Sequence, residues 1–132
     1  MSEELYKEII LDHYQNPRNK GELEKSDIDA TDYNPLCGDK LTFKMIVDKD
    51  IVTDVKFSGD GCAISQATAS ILTEILIGKT VDEISKFDKN ELLSSIGMPN
   101  LGPVRIKCAL LSLKVAKLGT FNYLGKEFEE ED

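Results

Sequence analysis

Along the chain the spacing of apolar positions changes period twice. Leu5, Tyr6, Ile9, Ile10 and His13 recur at three- and four-residue intervals, which predicts a helix from residue 3 to about 15. Pro17 disfavours helical geometry at Asn16 and ends it. After a polar stretch over 18 to 27, read as loop, the period falls to two. Leu41, Phe43, Met45 and Val47 alternate with mostly polar neighbours, as do Ile51, Val55 and Phe57, and both runs are read as strands. For these odd-numbered sets to share a face, Val47 should lie opposite Ile51, which leaves Asp48-Lys49-Asp50 as a three-residue loop. Residues 28 to 35 are read as a third strand. From Cys62 the period becomes helical again, with Ile64, Ala67, Ile71, Ile75 and Leu76 in a stripe and Gly78 as its stop. Thr80 with Glu83, and Asp88 with Glu91, are capping-box pairs that start two short helices. Pro103 suits the first turn of a last long helix, expected to end at Leu118 before Gly119. Strands followed by helices predict an α+β fold: a small three-stranded antiparallel sheet with helices packed on one face.

Size and charge narrow the class. The 132 residues suffice for one hydrophobic core, and no repeat or linker divides them, so 1–132 is expected to be one domain. Its acidic end, about 127–132, is expected to be solvated and frayed. A net charge of −8 argues against nucleic acid as a partner, because phosphate backbones select basic surfaces. No apolar run reaches the ~20 residues of a membrane-spanning helix. The first residues show no basic segment leading into an apolar one, so no secretory signal is expected. Three cysteines cannot all pair within one chain, and a reducing compartment leaves them as thiols; the cytoplasm is the expected location.

Those cysteines are the candidate chemistry. Pro35 and Gly38 place Cys37 and Asp39 on a bend. Gly59-Asp60-Gly61 is read as a flexible loop leading to Cys62, which falls at or just before a helix N-terminus, where free N–H groups favour an anionic sulfur. Cys108 lies in the second turn of the last helix. Arg105, three residues earlier, shares its face and is read either as a surface charge or, by preference, as a stabiliser of its thiolate. Lys107 points about 100° away, and either neutralises Asp39 in the metal-free state or faces solvent. Three thiolates and a carboxylate match the ligand preferences of zinc and equally suit an iron–sulfur cluster. Spacing alone leaves a second reading open, in which the cysteines are small buried hydrophobes. His13, the single histidine, is read as structural, and Ser65 as a helix cap, since no second histidine or nearby acid completes a triad.

Four ordered motifs bear on that choice: Tyr6 with Asp12-His13-Tyr14-Gln15-Asn16-Pro17-Arg18-Asn19, then Asn34-Pro35-Leu36-Cys37-Gly38-Asp39, then Gly61-Cys62-Ala63-Ile64-Ser65, and Pro103-Val104-Arg105-Ile106-Lys107-Cys108. Through them residues 1 to about 118 resemble the U-type iron–sulfur scaffold family (IscU, SufU and the N-terminal domain of NifU). The resemblance implies a SufE/IscU-like fold in which Cys37, Cys62 and Cys108 hold a nascent [2Fe-2S] cluster or Zn²⁺. It implies Asp39 as fourth ligand or as the group that keeps the site exchangeable. It also implies that Cys108 accepts persulfide sulfur from a cysteine desulfurase, with apo iron–sulfur proteins as recipients. The expected function is therefore a non-enzymatic assembly scaffold, the alternative being a zinc-dependent sulfurtransferase that activates the desulfurase.

Two departures shape what carries over. Lys107 stands where IscU-like members have histidine, as in SufU-like members, and a protonated lysine cannot bind metal. SufU-like members in turn carry a long insertion for which the stretch between Cys62 and Cys108 has no room. Leu101-Gly102-Pro103-Val104-Arg105 also differs from the Leu-Pro-Pro-Val-Lys that IscU-like scaffolds offer an Hsp70-type chaperone, so docking of that chaperone is not expected.

Overall fold

The computed structural model describes residues 3–35, 38–96 and 103–125. Cys37, the acidic end 127–132 and Leu101-Gly102 of the chaperone-type segment lie outside the described residues, as do the side chains of Leu5 and Tyr6.

Helix α1 (Glu3–Gln15) is followed by three strands, β1 (Ile28–Asn34), β2 (Asp39–Asp48) and β3 (Ile51–Asp60). Among the described residues, four helices come after them: α2 (Ala63–Leu76), α3 (Val81–Ser85), α4 (Lys89–Ile96) and α5 (Pro103–Leu124). The strands form one antiparallel sheet in the order β1-β2-β3. Ile28, Ala30, Leu41, Phe43, Met45, Val52, Val55 and Phe57 are buried on one face, where Phe43 stacks opposite Phe57. Helix α5 packs against β1 and β2, α2 against β3 and α5, and α1 covers α2 from outside. The expected α+β architecture is the one observed.

Three details differ from expectation, each for a local reason. The hairpin closes through two residues, Lys49 and Asp50, both left-handed at φ 52° and 66°. Such a turn matches the strand twist and sets Asp48 opposite Ile51 and Val47 opposite Val52. Ile51 is consequently 42% exposed and Val52 fully buried. A bulge then leaves Thr53 unpaired, and Met45 faces Val55 as the apolar pattern demands. Val55 and Phe57 rejoin the face of Phe43 and Met45 through that bulge, not through a longer loop, while Ile51 leaves that face and Val52 takes its place. Secondly, Gly59 and Asp60 belong to β3 rather than to a loop; at φ 124° a side chain at Gly59 would run into the Lys40 carbonyl. Thirdly, α5 runs through Gly119 to Leu124. A Cβ at Gly119 would lie 2.7 Å from Ile28 Cγ2 and 3.1 Å from the Ala30 Cβ. That glycine serves close helix–sheet approach, not termination.

The expected capping box is present at α3, whereas at α4 the described bonds show only Asp88 acting as a side-chain cap, without the reciprocal Glu91 bond. Thr80 and Glu83 form the reciprocal box at α3. At α4, Asp88 Oδ1 takes the Asn90 N–H over 2.9 Å. The polar segment after α1 is pinned rather than loose. Arg18 pairs with Asp12 at 2.7 Å and donates its N–H to Ser70 Oγ at 2.8 Å, and the Asn19 amide donates to Thr73 Oγ1 at 3.0 Å. Asn19 and Gly21 then bond both sides of Phe57, protecting part of the β3 edge. His13 Nδ1 meets Ser70 Oγ at 2.8 Å. The first motif thus works as a clip holding α1 and the following turn to α2. None of the described helices is long and apolar enough to cross a membrane.

Candidate metal and sulfur site

The site forms where both ends of the β1–β2 turn meet the N-termini of α2 and α5. Asn34 and Asp39 are register partners, and Gly38 closes the turn by donating its N–H to the Asn34 carbonyl at 2.8 Å. Asp39 is buried (2% exposed), and no described ion pair includes it. A buried carboxylate is costly unless hydrogen-bonded. Here Oδ1 accepts the Cys62 N–H over 2.9 Å, and Oδ2 lies 3.6 Å from Cys62 Sγ. The positive end of α2 adds to that stabilisation.

Cys62 is the N-cap of α2, as its place before the helical run predicts. Its extended backbone (φ −70°, ψ 168°) lets Sγ accept the Ser65 N–H at 3.5 Å, so the cysteine itself takes the orphan donor. Ser65, expected as the cap, sits inside the helix instead and donates its hydroxyl to the Cys62 carbonyl at 3.0 Å. Gly61 makes this fit possible. A Cβ there would collide with Ser65 Oγ and come within 3.0 Å of Asp39 Oδ1.

Cys108 enters from the second turn of α5 and is buried at 4% exposure, with the Asn34 side-chain amide donating to its sulfur over 3.9 Å. The ligand atoms of Asp39, Cys62 and Cys108 all lie within 4.8 Å of one another. Two sulfurs and a carboxylate in that space suit Zn²⁺ or an iron–sulfur cluster. Cys62 is exposed, whereas Asp39 and Cys108 are buried. Arg105 and Lys107 are both exposed, and among the described residues neither forms an ion pair with the site. His13 stands apart, between α1 and α2. Burial, then the nearby Arg18 charge, lowers its pKa from the ordinary 6.5 against the opposing pull of Glu74.

The sequence pattern gave Asn34 no role of its own, and Gly61 only that of a flexible loop residue. Asn34 carries a readable signal only in retrospect: a carboxamide at an inward strand position is a buried polar group that needs partners.

Comparison with known proteins bears on the motifs directly. Residues 5–130 match the sequence profile of the NifU-like N terminal domain. The chain belongs to that family. Among its relatives, this NifU-like domain is 40% identical to the zinc-dependent sulfurtransferase SufU of Bacillus subtilis, covering 87% of this chain and 88% of that protein. It is 34% identical to the iron–sulfur cluster assembly scaffold protein IscU 1 of Archaeoglobus fulgidus, over 92% of this chain and 78% of the relative. The two alignments differ in kind. The first runs over 131 positions while covering less of this 132-residue chain, so the Bacillus protein carries residues with no counterpart here. The second, over 122 positions, is nearly continuous. A crystal structure from Fervidobacterium islandicum, of a candidate iron–sulfur cluster assembly scaffold for the SUF system, superposes with a TM-score of 0.75. It is 32% identical, covering 91% of this chain and 99% of that one.

Proposed function

We propose that this NifU-like domain is a scaffold on which a [2Fe-2S] cluster is built from iron and desulfurase-derived sulfur and then handed to apo-proteins. What carries the reading is the convergence of Asp39, Cys62 and Cys108 from three separate segments, with their ligand atoms within 4.8 Å of one another and Cys62 exposed. Cys37, which lies between Asn34 and Asp39 in the sequence, completes the proposed ligand set. Ligands drawn from separate segments let small movements of one element open the site, which suits a cargo that must leave.

Sulfur enters by thiol–persulfide exchange. A scaffold thiolate attacks the terminal sulfur of the desulfurase persulfide. The enzyme's S–S bond breaks, the desulfurase thiolate leaves with the electron pair, and the scaffold cysteine becomes the persulfide. Conversion to sulfide then takes two electrons from an external donor. We assign the acceptor role to Cys108; because it is buried, the incoming persulfide reaches it only when the residues around it give way. Arg105, exposed one turn before Cys108, is placed to steer an anionic partner group toward it.

The second reading is a zinc-dependent sulfurtransferase, favoured by the identity to the Bacillus protein so named. The same ligands would then hold Zn²⁺ at rest, and the metal would keep its cysteines deprotonated until one is freed to attack the persulfide. The nearly continuous alignment with the Archaeoglobus scaffold favours the first reading.

Anaerobic incubation with a cysteine desulfurase, cysteine and ferrous iron separates them. A stoichiometric visible chromophore supports the scaffold. Tightly retained zinc, several-fold faster desulfurase turnover and no chromophore support the transferase. Asp39→Ala should make an assembled cluster more persistent; faster loss than in wild type contradicts the exchange role given to Asp39.

A further inference from the structure

Cys108 is held by more than the helix that bears it. The Asn34 amide reaches its sulfur from the last residue of β1, and Asn34 is itself buried at 6% exposure. Because Asn34 and Asp39 are directly opposed in the antiparallel register, their side chains leave the same face of the sheet. Each holds one cysteine, with opposite chemistry. The carboxylate of Asp39 accepts from Cys62, whereas the amide of Asn34 donates to Cys108.

Packing alone does not call for a carboxamide there. A leucine has the same branched shape without the cost of burying an amide. Metal binding separates the two contacts. Loss of the Cys62 thiol proton removes the S–H donor facing Asp39 Oδ2. The Asn34 N–H, by contrast, stays a donor, and its bond strengthens as charge builds on the sulfur. Groups that hydrogen-bond a metal ligand from behind fix its direction and tune its donor strength.

We propose that Asn34 is a positioning residue for this site, orienting Cys108 Sγ toward the shared centre and taking up part of its thiolate charge through an N–H···S bond that survives metal binding. The inference rests on the site holding metal as proposed above. The first test uses the intact protein loaded with ¹¹³Cd²⁺, a soft thiolate-binding ion. NMR should show cadmium coupling to the cysteine β-protons and, through the hydrogen bond, to the Asn34 side-chain amide proton. The second uses Asn34→Leu. Its zinc affinity, by chelator competition, should fall about 10-fold or more. In its Co²⁺ form the sulfur-to-cobalt charge-transfer band should move to lower energy while the tetrahedral d–d bands remain. Cadmium coupled to the cysteines but not to the Asn34 amide overturns the inference and leaves the metal site standing. So does a folded Asn34→Leu protein with wild-type affinity and an unmoved band. A wild-type protein that takes up neither cadmium nor cobalt overturns both.

Discussion

Gly61→Ala is a single methyl added at the point where the site is tightest. Its φ lies outside the left-handed region, so the backbone itself accepts alanine, and an unobstructed glycine-to-alanine change would stabilise by about 0.4–1 kcal/mol. Here the new Cβ meets Ser65 Oγ and comes within 3.0 Å of Asp39 Oδ1 and 3.1 Å of its Cγ. Ser65 can yield by rotating its hydroxyl off the Cys62 carbonyl, at a cost of about 1 kcal/mol for the lost bond. Asp39 has less room, because it is buried and paired with Asn34 at the start of β2. Displacing it weakens the Cys62 N–H bond to a carboxylate, worth about 1.5–3 kcal/mol. The expected net loss is about 1–3 kcal/mol in urea denaturation, the usual range for overpacking. Zinc affinity should fall about 10- to 100-fold, since the displaced groups orient Cys62. Adding Ser65→Ala to Gly61→Ala removes one of the two obstructions. The pair should therefore be less destabilising than the sum of its members, by about 0.5 kcal/mol or more. A Gly61→Ala protein with wild-type midpoint and zinc affinity would refute the packing argument.

Other consequences follow from elements away from the cysteines. Gly119→Ala, which in an open helix would stabilise by about 0.5–1 kcal/mol, should instead destabilise by about 1–2 kcal/mol through contact with Ile28 and Ala30; calorimetry or urea titration gives the sign directly. Lys49→Asn with Asp50→Gly places the preferred pair in a turn whose two residues are both left-handed, and should raise stability by about 1 kcal/mol; a lowered urea midpoint rules against the turn assignment. His13 gives the pH dependence. Its folded pKa lies below the unfolded 6.5, so below 6.5 the unfolded chain binds the proton first. Its contribution is complete above that value and is lost as pH falls through the folded pKa. The urea midpoint should decline from pH 7.5 toward 5.5, and His13→Gln should flatten the slope; equal slopes in the two proteins would remove His13 as the cause.

Much of the architecture was legible because it depends on neighbours along the chain. Alternation in Leu41, Phe43 and Met45 reports a strand with one buried face whatever it packs on, and the Thr80–Glu83 box is complete within four residues. The start of the helix after Cys62 belongs to the same class, although the cap itself was read at Ser65 and is Cys62. Gly119 was misleading for a physical reason. Glycine ends helices when its backbone freedom is used, but here its missing side chain is used, and only the position of β1 distinguishes the two. The hairpin register failed similarly. Parity of the apolar set permits either a three-residue loop or a two-residue loop with a bulge, and the second is the one that buries Val52.

The order of elements, the cap of α3 and the identity of the sulfur and carboxylate donors were determined by the sequence itself, because propensity, periodicity and side-chain chemistry act over a few residues. Only the tertiary structure decided which of these donors share a space, which sulfur faces solvent, and that Asn34 stands behind Cys108. Those depend on contacts between segments far apart in the chain, whose distances are set by packing of the helices on the sheet and leave no trace in local pattern.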